Sequence, residues 1–188
     1  MDIRWPMFNI TADFLEAKAS WLQQERGLHH QSLQFFRLAG LLVSLSRDHY
    51  ELASLAFFQA IIGLERALRC HFASHDQAFG LLFQRAVAEE IVTDAAFSEV
   101  RPLPDELIKQ LAEAALSDAV IPAIKPLPDK LIRKLASVVP SHSRALSILV
   151  PKLRNSFVHG TYLLSPEYLH LTFQLREIAD ALKTNASS

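Results

Sequence analysis

The longest apolar stretch of the chain is LASLAFFQAIIGLERALRCHF, residues 52–72. Its uncharged part, 52–64, lies between Glu51 and Glu65. A helix that is apolar on nearly all sides packs in the interior of a protein, so we expect this helix to be central to the fold. The uncharged part is shorter than the roughly 20 apolar residues that a membrane-spanning helix needs, which predicts no membrane partner.

Helical patterns continue on both sides of this stretch. Apolar residues recur at three- and four-residue steps, and the chain has only five glycines. This pattern predicts an all-α fold, with N-terminal helices at 11–46. Thr11 is a typical N-cap, and two capping boxes predict further helix starts, at Asp48 with Glu51 and at Ser74 with Gln77.

The length of 188 residues suits a single domain, 1–188. Its middle contains a short repeat, because PLPDELIKQLA (102–112) recurs as PLPDKLIRKLA (126–136). Two copies are too few for a solenoid, which needs at least three. We therefore predict a helical bundle with an inserted pair of short helices at about 102–139.

Charge is distributed unevenly. The net charge is −1, yet residues 125–159 carry one acidic side chain and seven basic ones: Lys125, Lys130, Arg133, Lys134, Arg144, Lys152 and Arg154. A local positive field favours a polyanionic partner. A solvated helix face is an equally open interpretation.

A single cysteine, Cys70, excludes an intramolecular disulfide. Together with an N-terminal segment that lacks an apolar leader, MDIRWPMFNI, this predicts a cytoplasmic protein. Arg69 and His71 could lower the pKa of the thiol, but a lone cysteine on an apolar helix is more often an unreactive packing residue.

The positive block leads into LRNSFVHG, residues 153–160, in which Arg154 precedes His159 by five positions. This spacing alone carries little weight, because Arg66 and His71 repeat it. The context is more specific. A chance R-N-x-x-x-H-G string is expected in on the order of one in a thousand chains of average composition.

This segment, followed by Ser-Pro-Glu and a closing helix, resembles the signature of HEPN domains. The stretch FFQAIIGLERALRCHF is similar to the long core helix of that family. The resemblance covers about 48–93 and 141–184. It implies a HEPN-like helical bundle, often dimeric, and many HEPN domains are endoribonucleases that use an R-x4-6-H motif and no metal.

The resemblance assigns catalytic roles to Arg154 and His159, and a supporting role to Asn155. His159 would act as general acid or base, because imidazole titrates near neutrality. Arg154 would bind the scissile phosphate. No cofactor is expected, and the sequence has no carboxylate–histidine cluster with metal-ligand spacing.

Helix geometry adds a constraint. Five helical steps place Arg154 and His159 about 140° apart around the axis. Either Gly160 ends the helix and frees His159, or two copies of the segment meet across a two-fold axis. The resemblance favours the second arrangement, so we expect a homodimer with its axis near 151–162. Phe157 and Val158 should pack inward.

The remaining site predictions are less direct. Some family members have a tyrosine two residues after the histidine; here Thr161 holds that place and Tyr162 follows. Lys152 and Arg144 are candidate phosphate contacts. Glu65 is a candidate ion-pair partner for an arginine of another helix, or for Arg69 at i+4.

Three functions remain open from the sequence. The first is a HEPN-type endoribonuclease acting on RNA, with a role as a stress or defence toxin and an antitoxin partner. The second is a non-catalytic HEPN module for dimerisation, nucleotide binding or partner-protein binding, in which Arg154 pairs with Glu65 and His159 stabilises a helix C-terminus. The third is an unrelated helical regulator.

Overall fold

The computed structural model describes residues 1–25, 27–98, 141–158 and 167–184. These residues form six α-helices, two short 3-10 helices and no strand, which confirms the all-α prediction. The predicted insertion at 102–139, with its repeat, lies outside the described residues. The α-helices are α1 (Ala12–Leu22), α2 (His30–Ser46), α3 (Leu52–His71), α4 (Phe79–Ala88), α5 (His142–Val158) and α6 (Glu167–Thr184).

Two helices form the centre of the bundle. The predicted central helix, α3, packs against α2 and α6 along much of its length and also contacts α4 and α5. The most enclosed helix is nevertheless α6, in which no side chain from 167 to 182 is exposed. In contrast, α3 exposes Leu55, Arg66 and Cys70, so one edge of α3 is open to solvent.

The helix starts agree only in part with the capping patterns. Thr11 caps α1 as predicted, since its Oγ1 accepts a hydrogen bond from Phe14 N at 3.2 Å. Both predicted capping boxes are wrong. Glu51 is the N-cap of α3, and its side chain makes no capping hydrogen bond. The carboxylate of Asp48 instead pairs with the terminal ammonium of Met1 at 3.0 Å.

The second capping box, at Ser74, fails because α4 begins later, after Ala78, which makes no side-chain cap. A cap that the sequence pattern did not predict lies at the start of α5. There Asp94 accepts hydrogen bonds from the backbone nitrogens of His142 and Ser143, at 3.1 and 2.8 Å. A carboxylate at this position also interacts favourably with the helix dipole.

No helix within the described ranges combines the length and the apolar character needed to cross a bilayer.

The packing of α1 on α2 depends on Gly40. A Cβ atom at this position would lie 2.7 Å from the carbonyl oxygen of Ala19 and 2.8 Å from Cγ of Gln23. Alanine is a better helix former than glycine, by ~1 kcal/mol. The clash with backbone outweighs this gain, so we expect Gly40→Ala to lower the free energy of unfolding by about 1–3 kcal/mol in urea denaturation followed by circular dichroism.

Gly80→Ala is the matched control for this prediction. A Cβ at Gly80 would lie 3.4 Å from Cβ and Cγ of Pro151, which is ordinary contact. The control should be neutral or stabilising by up to ~1 kcal/mol, because only the helix propensity changes. Equal stability of the two variants would contradict the close approach of α1 and α2 at Gly40.

Candidate functional site

The open edge of α3 carries a cluster of charged side chains around Glu65. Arg69, one turn later on α3, donates from Nη2 to Oε1 of Glu65 at 2.8 Å and from Nε to the same oxygen at 3.2 Å. Arg154 of α5 donates from Nε to Oε2 at 3.1 Å. Both alternatives that the sequence left open for Glu65 are therefore realised in one cluster.

The three side chains of this cluster differ in exposure. Glu65 is 13% and Arg69 18% exposed, whereas Arg154 is 37% exposed. Arg154 meets Glu65 through Nε, and its two terminal nitrogens make no hydrogen bond to the described part of the chain. Glu65 thus orients the guanidinium of Arg154 and leaves its end free to donate to another anion.

A cleft of about 420 Å³ lies between α3 and α5 beside this cluster. Its volume falls within the ~300–1,000 Å³ that is typical of ligand sites. Three of the lining side chains are apolar, Phe58 and Ile62 of α3 and Val158 of α5. The remaining ones are polar or charged: Glu65, Arg66, Arg69, His75 and Arg154.

The charged lining of the cleft has a net positive charge. It contains three guanidinium groups and a single carboxylate, which gives +2 with His75 neutral. Like charges concentrated along a concave surface raise the local potential and attract ions of the opposite sign. The arrangement is therefore suited to an anionic ligand.

A smaller cleft of about 260 Å³ adjoins the first and shares Glu65, Arg69 and Arg154 with it. Asn155, which is exposed, lines this second cleft. The structure therefore brings together three of the predicted site residues, namely Arg154, Asn155 and Glu65.

The register of α5 explains which side chains reach the clefts. Pro151, Arg154, Asn155 and Val158 follow the i, i+3, i+4, i+7 spacing and share one helix face. Val158 is 59% exposed, so the prediction that it packs inward is wrong. The prediction for Phe157 is confirmed, because this ring is buried and contacts Phe57, Phe58 and Tyr168.

Pro151 lies inside α5, which begins nine residues earlier at His142. The sequence predicts that this proline starts or kinks the motif helix. It does not start the helix, and the kink stays a prediction.

The other predicted site residues are not brought into the clefts. Arg144 is exposed near the start of α5, ~15 Å along the helix axis from Arg154. Lys152 is half-buried and lines neither cleft. His159 and Tyr162 lie outside the described residues, as do the basic residues of the positive block between 125 and 134.

Sequence reasoning missed Arg66 and His75 as parts of the site. Arg66 belongs to the second Arg–His match, but its partner in that match, His71, packs edge-on against the ring of Phe72 and does not line the cleft. The available signal was the α3 register. Phe58, Ile62 and Arg66 are spaced by four residues and share the face that the cleft uses.

Cys70 gains no activation from its position. Desolvation raises the pKa of its thiol above the usual value, and the nearby Arg66 guanidinium offsets this only in part. This direction is opposite to activation by Arg69 and His71. Cys70 is exposed, so the prediction that it is a packing residue is wrong. Within the described ranges, no group of three or more His, Cys, Asp and Glu side chains is arranged to hold a metal ion.

Comparisons with known proteins identify no relative of this chain. No protein-family model matches it, and neither curated proteins nor solved structures give a significant match. Function is therefore inferred from the residues and the geometry of the cleft.

Proposed function

We propose that this protein is a metal-independent endoribonuclease of the HEPN type, with a composite active site between two copies of the chain. The observation that carries the proposal is the position of Arg154. Its guanidinium is oriented by Glu65 in a positively charged cleft, and its terminal nitrogens are free of hydrogen bonds to the described residues. A guanidinium held in this way is suited to binding a phosphodiester.

In the proposed reaction, His159 removes the proton from a ribose 2′-hydroxyl. The 2′-oxygen attacks the adjacent phosphorus, and the bond from phosphorus to the 5′-oxygen of the next nucleotide breaks. The leaving oxygen takes up a proton, so the products are a 2′,3′-cyclic phosphate and a 5′-hydroxyl. Arg154 offsets the negative charge that develops on the phosphate oxygens, and Asn155 beside it contacts or orients the RNA.

The dimer is part of the same proposal. On one continuous helix, Arg154 and His159 would point about 140° apart, which prevents both from reaching the same phosphate. Two copies of the segment related by a two-fold axis would supply the arginine and the histidine from different chains. The proposed role as a stress or defence toxin, held inactive by an antitoxin, depends on this activity.

The test is cleavage of a mixed RNA in the presence of EDTA by the wild type and by His159→Ala and Arg154→Ala. General acid–base groups contribute about 10²–10⁴-fold to rate, so we expect His159→Ala to lower cleavage by at least 10²-fold. His71→Ala is a matched control from the second Arg–His match and should cleave like the wild type. Equal cleavage by His159→Ala would exclude this motif as the catalytic one.

A second function is favoured by one observation. The mostly buried Glu65 carboxylate ties Arg154 to α3, which suits a structural role for the arginine in a non-catalytic HEPN-type module. This module would serve dimerisation, nucleotide binding or partner binding. Absence of RNA cleavage by the wild type, together with a dimer in analytical ultracentrifugation, would favour this function over the nuclease.

A further inference from the structure

We infer that the cleft between α3 and α5 binds single-stranded nucleic acid, with Arg66 as a second phosphate-binding residue beside Arg154 and a base against Phe58. The identity of the natural ligand as RNA rests on the proposed function. The binding site itself rests on the lining of the cleft.

Arg66 and Arg69 differ in what is already bound to them. Arg69 is occupied, since it donates to Glu65 and to the carbonyl oxygen of His75. Arg66 is exposed, lines the same cleft, and has no ion-pair partner in the described part of the chain. Its charge is therefore uncompensated, and it is the arginine of α3 that is available to a ligand.

Two available arginines, Arg66 of α3 and Arg154 of α5, suit a ligand with repeated negative charge. Glu65 is shared between Arg69 and Arg154 and compensates one positive charge, which leaves a net charge of +2 in the cleft. A nucleic acid strand carries one charge per phosphate. Phosphates of one strand can therefore meet Arg154 and Arg66 and release their counterions on binding.

The apolar side chains of the cleft favour a nucleic acid over another polyanion. Phe58 is half-buried, and its ring is fixed by stacking on Phe157, with centroids 5.7 Å apart and planes inclined by 16°. Ile62 and Val158 extend the apolar surface beside it. An unpaired base can cover this apolar surface, and a base packed on an aromatic ring contributes ~1–3 kcal/mol. In a duplex the bases are stacked inside and cannot reach it.

The test measures binding separately from cleavage. The probe is a fluorescein-labelled single strand of about eight 2′-O-methyl nucleotides, a length within the range of known single-strand sites. It lacks the 2′-hydroxyl nucleophile, so an active nuclease cannot cleave it. Fluorescence anisotropy is measured at several salt concentrations for the wild type, Arg66→Gln, Phe58→Leu and Arg37→Gln.

We expect Arg66→Gln to raise the Kd about tenfold and to lower the slope of log K against log salt by about 0.7, the value for one phosphate contact on a single strand. Phe58→Leu should raise the Kd about three- to tenfold with an unchanged salt slope, because it removes stacking and no charge. Arg37→Gln removes an exposed arginine of α2 that pairs with Glu25 away from the cleft, and should bind like the wild type.

Two outcomes would overturn the inference. One is an Arg66→Gln variant with the affinity and salt slope of Arg37→Gln, and the other is a wild type that binds a duplex of the same sequence as tightly as the single strand. A protein that binds through Arg66 but never cleaves RNA would refute the nuclease and support this site. If Arg66→Gln changed neither RNA cleavage nor oligonucleotide binding, the Arg66 site would be refuted and the proposed nuclease would stand.

Discussion

Replacing Arg176 with methionine is expected to lower the free energy of unfolding by about 2–4 kcal/mol, because two carbonyl groups, one of them buried, lose their charged donor. Arg176 lies on α6 and is fully buried. Its Nη1 donates to the carbonyl oxygen of Leu22 at 2.6 Å, and its Nη2 donates to that of Gln24 at 2.8 Å. These carbonyls lie at and just beyond the C-terminus of α1, where a positive charge also interacts favourably with the helix dipole.

Methionine is the informative replacement because it keeps much of the side-chain volume and removes the charge. The matched control is Asp180→Asn. It removes the charge of the carboxylate that accepts a hydrogen bond from Arg176 Nε at 3.2 Å. Asparagine keeps a carbonyl acceptor for this Nε donor and Asp180 is 26% exposed, so we expect a smaller loss of stability than for Arg176→Met. Urea denaturation measures the free energy of unfolding of both variants. If the Arg176→Met variant were no less stable than Asp180→Asn, the hydrogen bonds from Arg176 to the end of α1 would contribute nothing to the stability.

Phe57→Ala is expected to lower the free energy of unfolding by about 3–5 kcal/mol, the range for deleting a fully buried aromatic ring. The Phe57 ring stacks on Tyr168 of α6, with centroids 5.0 Å apart. It also meets Phe157 of α5 edge-on at 5.7 Å. One side chain of α3 therefore joins both helices, and its loss should also disturb the cleft formed with α5.

The control for this prediction is Phe8→Ala, the same chemical change at a site that is 45% exposed. Phe8 stacks on Tyr50 at 6.3 Å near the N-terminus, and surface changes of this kind cost about 0.5 kcal/mol. Urea denaturation compares the two variants, and oligonucleotide anisotropy tests the cleft. If Phe57→Ala cost no more than Phe8→Ala, the aromatic contacts between α3, α5 and α6 would not be a part of the core.

The helical class of the fold was predictable because it depends on local patterns. A 3.6-residue apolar period and a threonine cap at Thr11 act within a few residues of the chain. The sequence pattern failed where the partner is distant in the chain. Asp48 pairs with the ammonium of Met1 rather than capping α3. Asp94, which is 48 residues before His142, caps α5 together with the local Ser141.

Part of the candidate site was also accessible to sequence reasoning. Arg154 was singled out by the residues around it, and Glu65 by its place where an apolar helix becomes polar. Their contact was one of the alternatives that the sequence left open, and the sequence could not decide it because the contact depends on how α3 and α5 cross. The same crossing brings Arg66 into the cleft and leaves Arg144 and Lys152 outside it.

The sequence by itself determined that the described chain is helical, which residues start α1, and that Arg154 belongs to an unusual polar segment. Only the tertiary structure decided that Val158 faces outward, that a buried arginine binds the end of α1, and that Glu65 joins two arginines. The reason is physical. Helix formation follows from interactions over three or four residues, whereas ion pairs and clefts depend on side chains that are far apart in the chain and meet only when the helices pack.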